Sequence, residues 1–302
     1  MFEVDTERCL FSPRRLWRGF GLVEASFKMT KENGAAYLKE RETKSIYIIR
    51  EAYYRYRDKL ALLWSMGKDS TALLHLSQKA FFGRIPFPVI HIDTSFKFKQ
   101  IYSFRDRLTK EYGINLIIAR NEPALKKHIC PEQGRYRCCQ ALKTQALKIV
   151  TKKYGLKAFL VAIRRDEHLI RAKERVFSAR DENFRWNWQN PSLEMWSEYS
   201  EANPGVSGHL RVHPLLDWRE IDVWRYTKAE RIPILDLYFA KNGRRYRSVG
   251  CQSCCQAIPS TASDIGKIIA ELGKTKIAER SGRCQDKEKA YMMQKLRSLG
   301  YM

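Results

Sequence analysis

The sequence has no run of eighteen or more apolar residues, so it offers no segment long enough to span a bilayer as a helix. Its opening, "MFEVDTERCLFSPRR", lacks the basic-then-apolar order of a secretory leader, and a cytoplasmic protein with no membrane partner is the expectation. Internal repeats and low-complexity linkers are missing too, which leaves one main domain with a C-terminal extension. Cysteine is sparse: eight in 302 residues, mostly clumped at 130–139 and 251–255. That is too few for a disulfide scaffold of this length, and such clumping points to metal or redox chemistry. Acidic residues are outnumbered, 33 against 56 Lys and Arg, for a net charge of +23. A field of that size favours a polyanionic partner, through counterion release and steering; the alternative is a solvated basic surface. With 44% apolar residues the chain can bury a substantial core, so disorder is not the default.

What is present reads as a strand-helix alternation. Residues 35–56 have the pattern of an amphipathic helix. "LALLW" (60–64), "FPVIHID", "INLIIA" and "KAFLVAI" are short apolar runs suited to buried parallel strands, with helical patterns between them. The alternation predicts an α/β fold, a Rossmann-like parallel sheet with helices on both faces. The expected parts are a basic segment over 1–33, a nucleotide domain over 34–215 and an extension over 216–302. Residues 178–210, polar and Trp-rich, read as an irregular excursion. Residues 264–273 and 287–299 read as two short helices.

In "LLWSMGKDST" a buried strand runs through Ser65, Met66, Gly67, Lys68, Asp69 and Ser70 straight into a helix. A small-residue loop in that position presents backbone N–H groups to an anion. Gly67 allows close approach, Ser65 and Ser70 offer hydroxyls, and Lys68 neutralises phosphate charge. The spacing is not that of a Walker A loop. Here the chain resembles the PP-loop ATP pyrophosphatases, which split ATP between the α and β phosphates. "FPVIHIDTSFKFKQIYSFRDRLTKEYG" and "AIRRDEHLIRAKERVFSARD" are similar to the small, nucleotide-binding subunit of bacterial sulfate adenylyltransferase and to the wider PAPS reductase family. That resemblance, over residues 40–302, implies ATP and Mg²⁺ at Ser65–Ser70. It places His91, Asp93 and Thr94 at the end of the second strand, beside the nucleotide. It also implies catalytic roles for Lys68, Asp69, Arg164, Arg165 and Asp166, the last three at the end of the fourth strand, where open α/β sheets bind ligands. Arg171, Lys173 and Arg175 are read either as phosphate contacts or as a solvated face.

"HPLLDWREIDVW" and "YRSVGCQSC" resemble the adenylyl-sulfate reductases instead. In those proteins an adjacent cysteine pair and a later C-x-x-C hold a [4Fe–4S] cluster. The matching residues are Cys138 and Cys139, then Cys251 and Cys254, with 111 residues between the pairs. Four thiolates suit a cubane cluster; tetrahedral zinc or uncoordinated buried thiols are the alternatives. The closing "YMMQKLRSLGYM" has no cysteine to match the nucleophile of the reductases' tail and resembles the end of the adenylyltransferase subunit. Cys130, Cys255 and Cys284 lie outside the cluster set, and Cys255 is the preferred candidate for a persulfide.

Residues 135–185 carry 14 Lys and Arg against 5 Asp and Glu, and "KNGRRYR" precedes the C-x-x-C. These segments read as a nucleic-acid face, with Tyr136, Tyr246, Trp186 and Trp188 available to stack on bases. Loop, cysteines and charge together resemble the DNA phosphorothioation proteins, SspD most and DndC as its relative. The function implied is adenylylation of a DNA backbone phosphate for sulfur insertion, with DNA and a cysteine desulfurase as partners and homo-oligomerisation left open. The rival readings are a sulfate-assimilation enzyme (adenylyltransferase subunit or adenylyl-sulfate reductase), a tRNA-thiolating enzyme, and a nucleic-acid-binding module with a vestigial ATP site.

Overall fold

A computed structural model describes residues 31–186, 208–284 and 292–300. The basic segment up to residue 30, Trp188 and the start of the 287–299 helix lie outside the described residues. Met1–Tyr37 forms one unit, of which the first turns of α1 (Lys31–Tyr56) are described; Leu38–Met302 forms the other. Within this second unit α1 buries Ser45, Ile48, Ile49 and Ala52, the i, i+3, i+4, i+7 stripe of a core-facing helix. Trp218 pins it by donating its indole N–H to Ser45 Oγ at 3.0 Å.

Four parallel strands follow in the order their apolar runs predict: β1 (Leu60–Leu63), β2 (Val89–Ile92), β3 (Leu116–Ala119) and β4 (Ala158–Leu160). The helices between them are α2 (Lys68–Ala80), α3 (Lys99–Glu111), a short α4 (Glu122–Lys126), and a continuous rod made of α5 (Arg135–Cys139), a π-helical turn at Gln140–Thr144 and α6 (Gln145–Tyr154). Gly155, left-handed at φ +62°, ends the rod. β1 lies between β2 and β4, with Leu62 opposite Val89 and Leu160. All four of its residues are buried, as expected of a central strand covered on both faces.

The 178–210 stretch is not wholly irregular. Its two ends fall on β5 (Phe177–Arg180) and β6 (His209–Val212), an antiparallel pair; β6 joins β4, giving the sheet order β3-β2-β1-β4-β6-β5. These strands are hard to read in the sequence because polar residues occupy their buried positions. Arg180, His209 and Arg211 are all buried, so the apolar alternation that marks a half-buried strand is broken. Glu174 compensates part of this charge: its carboxylate meets Arg180 at 2.8 Å and Arg297 at 2.5 Å. α9 (Met292–Ser298) follows α7 (Glu220–Ala229), the hairpin of β7 (Arg244–Arg245) and β8 (Ile258–Pro259), and α8 (Ile265–Leu272). Burial would push the Glu174 carboxyl up, but Arg180 and Arg297 outweigh it and hold it far below the usual range. Glu174→Gln is therefore expected to lower unfolding free energy by about 3–5 kcal/mol, because it strands buried guanidinium charge. Glu51→Gln, which breaks the half-exposed pair with Arg55, should cost under about 1 kcal/mol. Denaturant titration of both variants measures the contrast, and equal costs would refute this account of Glu174.

Candidate active site

Beyond β1 the chain turns through Trp64–Gly67 and enters α2 at Lys68. The sharp residue is Met66, left-handed at φ +62°, a conformation that costs a side-chain-bearing residue about 1–2 kcal/mol. Gly67 itself has φ −71°. Its contribution is room: a Cβ there would stand 3.3 Å from Ser65 Oγ and 3.5 Å from the Tyr238 hydroxyl. Ser70 Oγ closes the loop, accepting from Ser65 N at 3.2 Å and donating to the Gly67 carbonyl at 3.1 Å. Lys68 N–H donates to the Tyr238 hydroxyl at 3.0 Å. Ser65, Gly67, Lys68, Asp69 and Ser70 all line a single cavity at the C-terminal end of the sheet.

Behind the loop is a buried ion network. Lys68 Nζ contacts Asp69 at 3.2 Å and Glu279 more closely still. Arg164 spans Asp69 at 2.8 Å, Asp166 at 3.1 Å and the other oxygen of Glu279. Burial alone would strip the Lys68 proton, but Asp69 and Glu279 outweigh it and keep the ammonium charged. Glu279 shows the converse: burial would raise it, and Arg164 and Lys68 hold it down at about 2. Arg165 turns outward to Asp217. Asp166, raised by burial, accepts from Glu220 N at 2.8 Å. None of Arg164, Arg165 and Asp166 is in the cavity wall; Arg164 and Asp166 brace the loop from behind.

The cavity is also lined by basic residues: Lys97, Lys143, Arg171, Arg280 and Arg283. Arg171 and Arg280 share the carboxylate of Glu167, Arg280 at 3.0 Å, and Arg283 Nη1 lies 2.9 Å from Cys255 Sγ. Burial pulls Lys97 down to about 8. Arg171 is thus a wall residue, whereas Lys173 is exposed.

Strand parity corrects the second-strand residues. Ile90 and Ile92 face the cavity, so His91 points to the opposite side of the sheet. There its Nδ1–H donates to the Trp64 carbonyl at 3.1 Å, and burial, with Lys97, holds the ring neutral, its pKa pushed down to about 2. Asp93 is spent on its own loop, accepting from Ser95 N at 2.8 Å and the Tyr102 hydroxyl at 2.9 Å. Thr94 Oγ1 sits 3.2 Å from Cys251 Sγ. None of the three lines the cavity. Tyr238, Glu279 and Arg280 escape the sequence reading, because nothing local in "LDLYFA" or "IAERSGRC" marks them.

The two cysteine pairs converge. Cys138, Cys139, Cys251 and Cys254 are all buried and free of disulfides, and Cys251 lies in the cavity wall. Their titrations feel one another. Burial, then Cys139 and Cys251, push Cys138 up to about 12; burial, then Cys251, raise Cys254. Cys251 goes the other way, because Lys143 and Lys97 outweigh its burial. Among the described residues no three His, Cys, Asp or Glu are grouped so as to hold a single metal ion. Cys130 and Cys284 are half-buried, and Cys255 is buried against Arg283.

The supposed nucleic-acid face is partly interior: Arg164, Arg171, Arg180, Arg245 and Arg247 are buried, whereas Arg137, Lys152, Lys153, Lys157, Lys241 and Arg244 are exposed. In "KNGRRYR", Arg245 pairs with Glu271 and Arg247 with Glu220, each at 2.7 Å. Tyr246 packs on Phe98 with ring centres 5.0 Å apart, and Trp186 is buried beneath Arg180 and Arg297. The arginine count therefore overstates the surface field.

Residues 59–257 match the model of the phosphoadenosine phosphosulfate reductase domain. The chain is 38% identical to sulfate adenylyltransferase subunit 2 of Pseudoalteromonas translucida over 88% of its length and 98% of that protein's. The same identity and coverage hold for the Azotobacter vinelandii protein of that name. Among solved structures it is similar to phosphoadenylyl-sulfate reductase from Candida auris (TM-score 0.51, 18% identity, 76% of this chain and 98% of that one). Yeast FAD synthetase is similar too (TM-score 0.53, 17% identity, 84% and 92%); at such identities the likeness is one of fold. Near full-length similarity to sulfate adenylyltransferase subunits overturns DNA phosphorothioation as the function, and with it DNA and a cysteine desulfurase as partners. The resemblance holds at the level of the PAPS reductase family and not of SspD or DndC.

Proposed function

Because the chain belongs to the phosphoadenosine phosphosulfate reductase domain family and is closely related to sulfate adenylyltransferase subunit 2, we propose that it transfers the adenylyl group of ATP to sulfate. The observation that carries this reading is one cavity lined both by a phosphate-type loop, Ser65–Ser70, and by five basic residues, Lys97, Lys143, Arg171, Arg280 and Arg283. The loop suits the polyphosphate of ATP with Mg²⁺, Asp69 being the loop's carboxylate. The basic residues suit a small tetrahedral oxyanion, held by charge-assisted hydrogen bonds. A sulfate oxygen there attacks the α-phosphorus, the bond from Pα to its bridging oxygen breaks, and pyrophosphate leaves. Lys68 and the loop N–H groups stabilise the leaving charge. Both the 34–215 domain and the 216–302 extension are needed, since Tyr238, Arg280 and Arg283 come from the latter. The relatives' designation as subunit 2 supports a second subunit as partner.

The test is pyrophosphate release from ATP by the chain co-purified with its partner subunit. Sulfate should stimulate release at least about tenfold, with adenylyl sulfate as product, while DNA and tRNA leave it unchanged. Release indifferent to sulfate, or thiol-driven reduction of adenylyl sulfate, would overturn the reading.

We further propose that Cys138, Cys139, Cys251 and Cys254 hold a [4Fe–4S] cluster; what supports this is four buried thiols whose titrations feel one another, beside Lys97, Lys143 and Arg283. Bound there, the cluster would supply redox-active iron beside the oxyanion. The chain's own residues do the rest: Lys143 and Lys97 hold Cys251 toward its thiolate form, and the π-turn after Cys139 sets the pitch of the rod that carries the first pair.

A further inference from the structure

The carboxylate that neutralises the phosphate loop arrives from a turn 211 residues away in sequence. We propose that Glu279 competes with the polyphosphate of the nucleotide for Lys68, which makes the Glu279–Gly282 turn a latch that triphosphate binding releases. The inference rests on the ATP site proposed above.

Three observations carry it. First, Lys68 and Arg164 have side chains 1% and 0% exposed, and one carboxylate holds both, each through a different oxygen. Of the two, Lys68 lines the cavity, so an entering polyphosphate must share it with Glu279 or take it, while Arg164 behind the loop stays with the carboxylates. Second, the local charge already disfavours a further anion while Glu279 stays. Lys68 and Arg164 face Asp69, Asp166 and Glu279, three carboxylates to two cations, while Glu220, close enough to be raised by Glu279, is committed to Arg247. Adding phosphates beside all three carboxylates is repulsive, and low dielectric magnifies the penalty. Third, Glu279 is the carboxylate whose element can leave without unmaking the loop. Asp69 lies in the first turn of α2, and Asp166 accepts from the first residue of α7. The Glu279 turn is one short 3₁₀ segment, held on its far side by Arg280 on Glu167 and by Gln256 N donating to the Gly282 carbonyl at 2.8 Å.

The turn also carries Arg280, and Arg283 follows it directly; both line the cavity. Its release would therefore reposition cations of the cavity wall when the nucleotide binds.

The experiment is calorimetric titration of the full chain with the non-hydrolysable analogue AMPCPP and, separately, with AMP. Glu279→Gln should tighten AMPCPP about tenfold or more, equivalent to about 1.4 kcal/mol, and leave AMP within about twofold. Unchanged or weaker AMPCPP binding by the variant would make Glu279 a brace and overturn the latch. Wild-type protein that binds no AMPCPP would instead bring down the ATP reading itself. Should the variant misfold, hydrogen exchange on the wild type decides. Amides of 279–283 should exchange faster with AMPCPP than with AMP, and equal or slower exchange refutes the proposal.

Discussion

Lys68→Ala is expected to cut sulfate-dependent pyrophosphate release by about 10²–10³-fold, the usual loss when a preorganised group aimed at developing charge is removed. The buried ammonium stands at the first turn of α2, where loop N–H groups and the helix N-terminus already favour an anion. Its own charge is secured by Asp69 and Glu279 against burial. If Lys68 acts on the leaving pyrophosphate, kcat and kcat/KM fall together; if it only binds ATP, KM rises and kcat stays. Part of the loss could come from the fold, because the variant leaves Glu279 with Arg164 as its remaining cation at the loop. Lys68→Arg separates the two effects: it keeps the charge, so thermal stability should return while the guanidinium, different in shape, restores little of the rate. Lys68→Ala retaining a third or more of wild-type activity would remove the residue from the chemistry.

Cys138→Ala is expected to abolish iron binding. Anaerobically purified wild-type protein should hold about four iron and four acid-labile sulfides per chain, the content of one cubane on four thiolates. The variant should fall below about one of each and lose visible charge-transfer absorbance. Cys130→Ala is the control, since that half-buried thiol lies outside the set. Two features make Cys138 a sensitive position. It is buried, and its titration answers to Cys139, Cys251 and Cys254 together, so one deletion touches the whole group. Wild-type protein free of iron and sulfide would end the cluster reading and leave adenylyl transfer untouched, because no step of it passes through these cysteines.

The central sheet was legible because β1, β2, β3 and β4 are written in apolar residues, and the loop because its residue types declare an anion site. β5 and β6 were not, since Arg180 and Arg211 occupy places where an alternating pattern wants aliphatic side chains. His91 lies within the correct strand and Asp93 and Thr94 just beyond it, but family likeness does not supply the strand's phase, and Ile90 and Ile92 took the cavity side. The basic composition misled for a related reason: counting arginines says nothing about depth, and Arg245 and Arg247 are engaged with Glu271 and Glu220. Glu279 was invisible because its meaning lies wholly in a contact that only the tertiary fold creates.

That long-range contact has a consequence for how the protein comes together. Closing a loop of this length is entropically slow to reward, so the Lys68–Glu279 contact is expected to form late, after the nearer β1–β2 and β1–β4 pairings. Substitutions at Glu279 then act chiefly on the unfolding rate and leave the folding rate nearly unchanged. Evolution can alter the chemistry of this site without slowing the chain's passage to its native state.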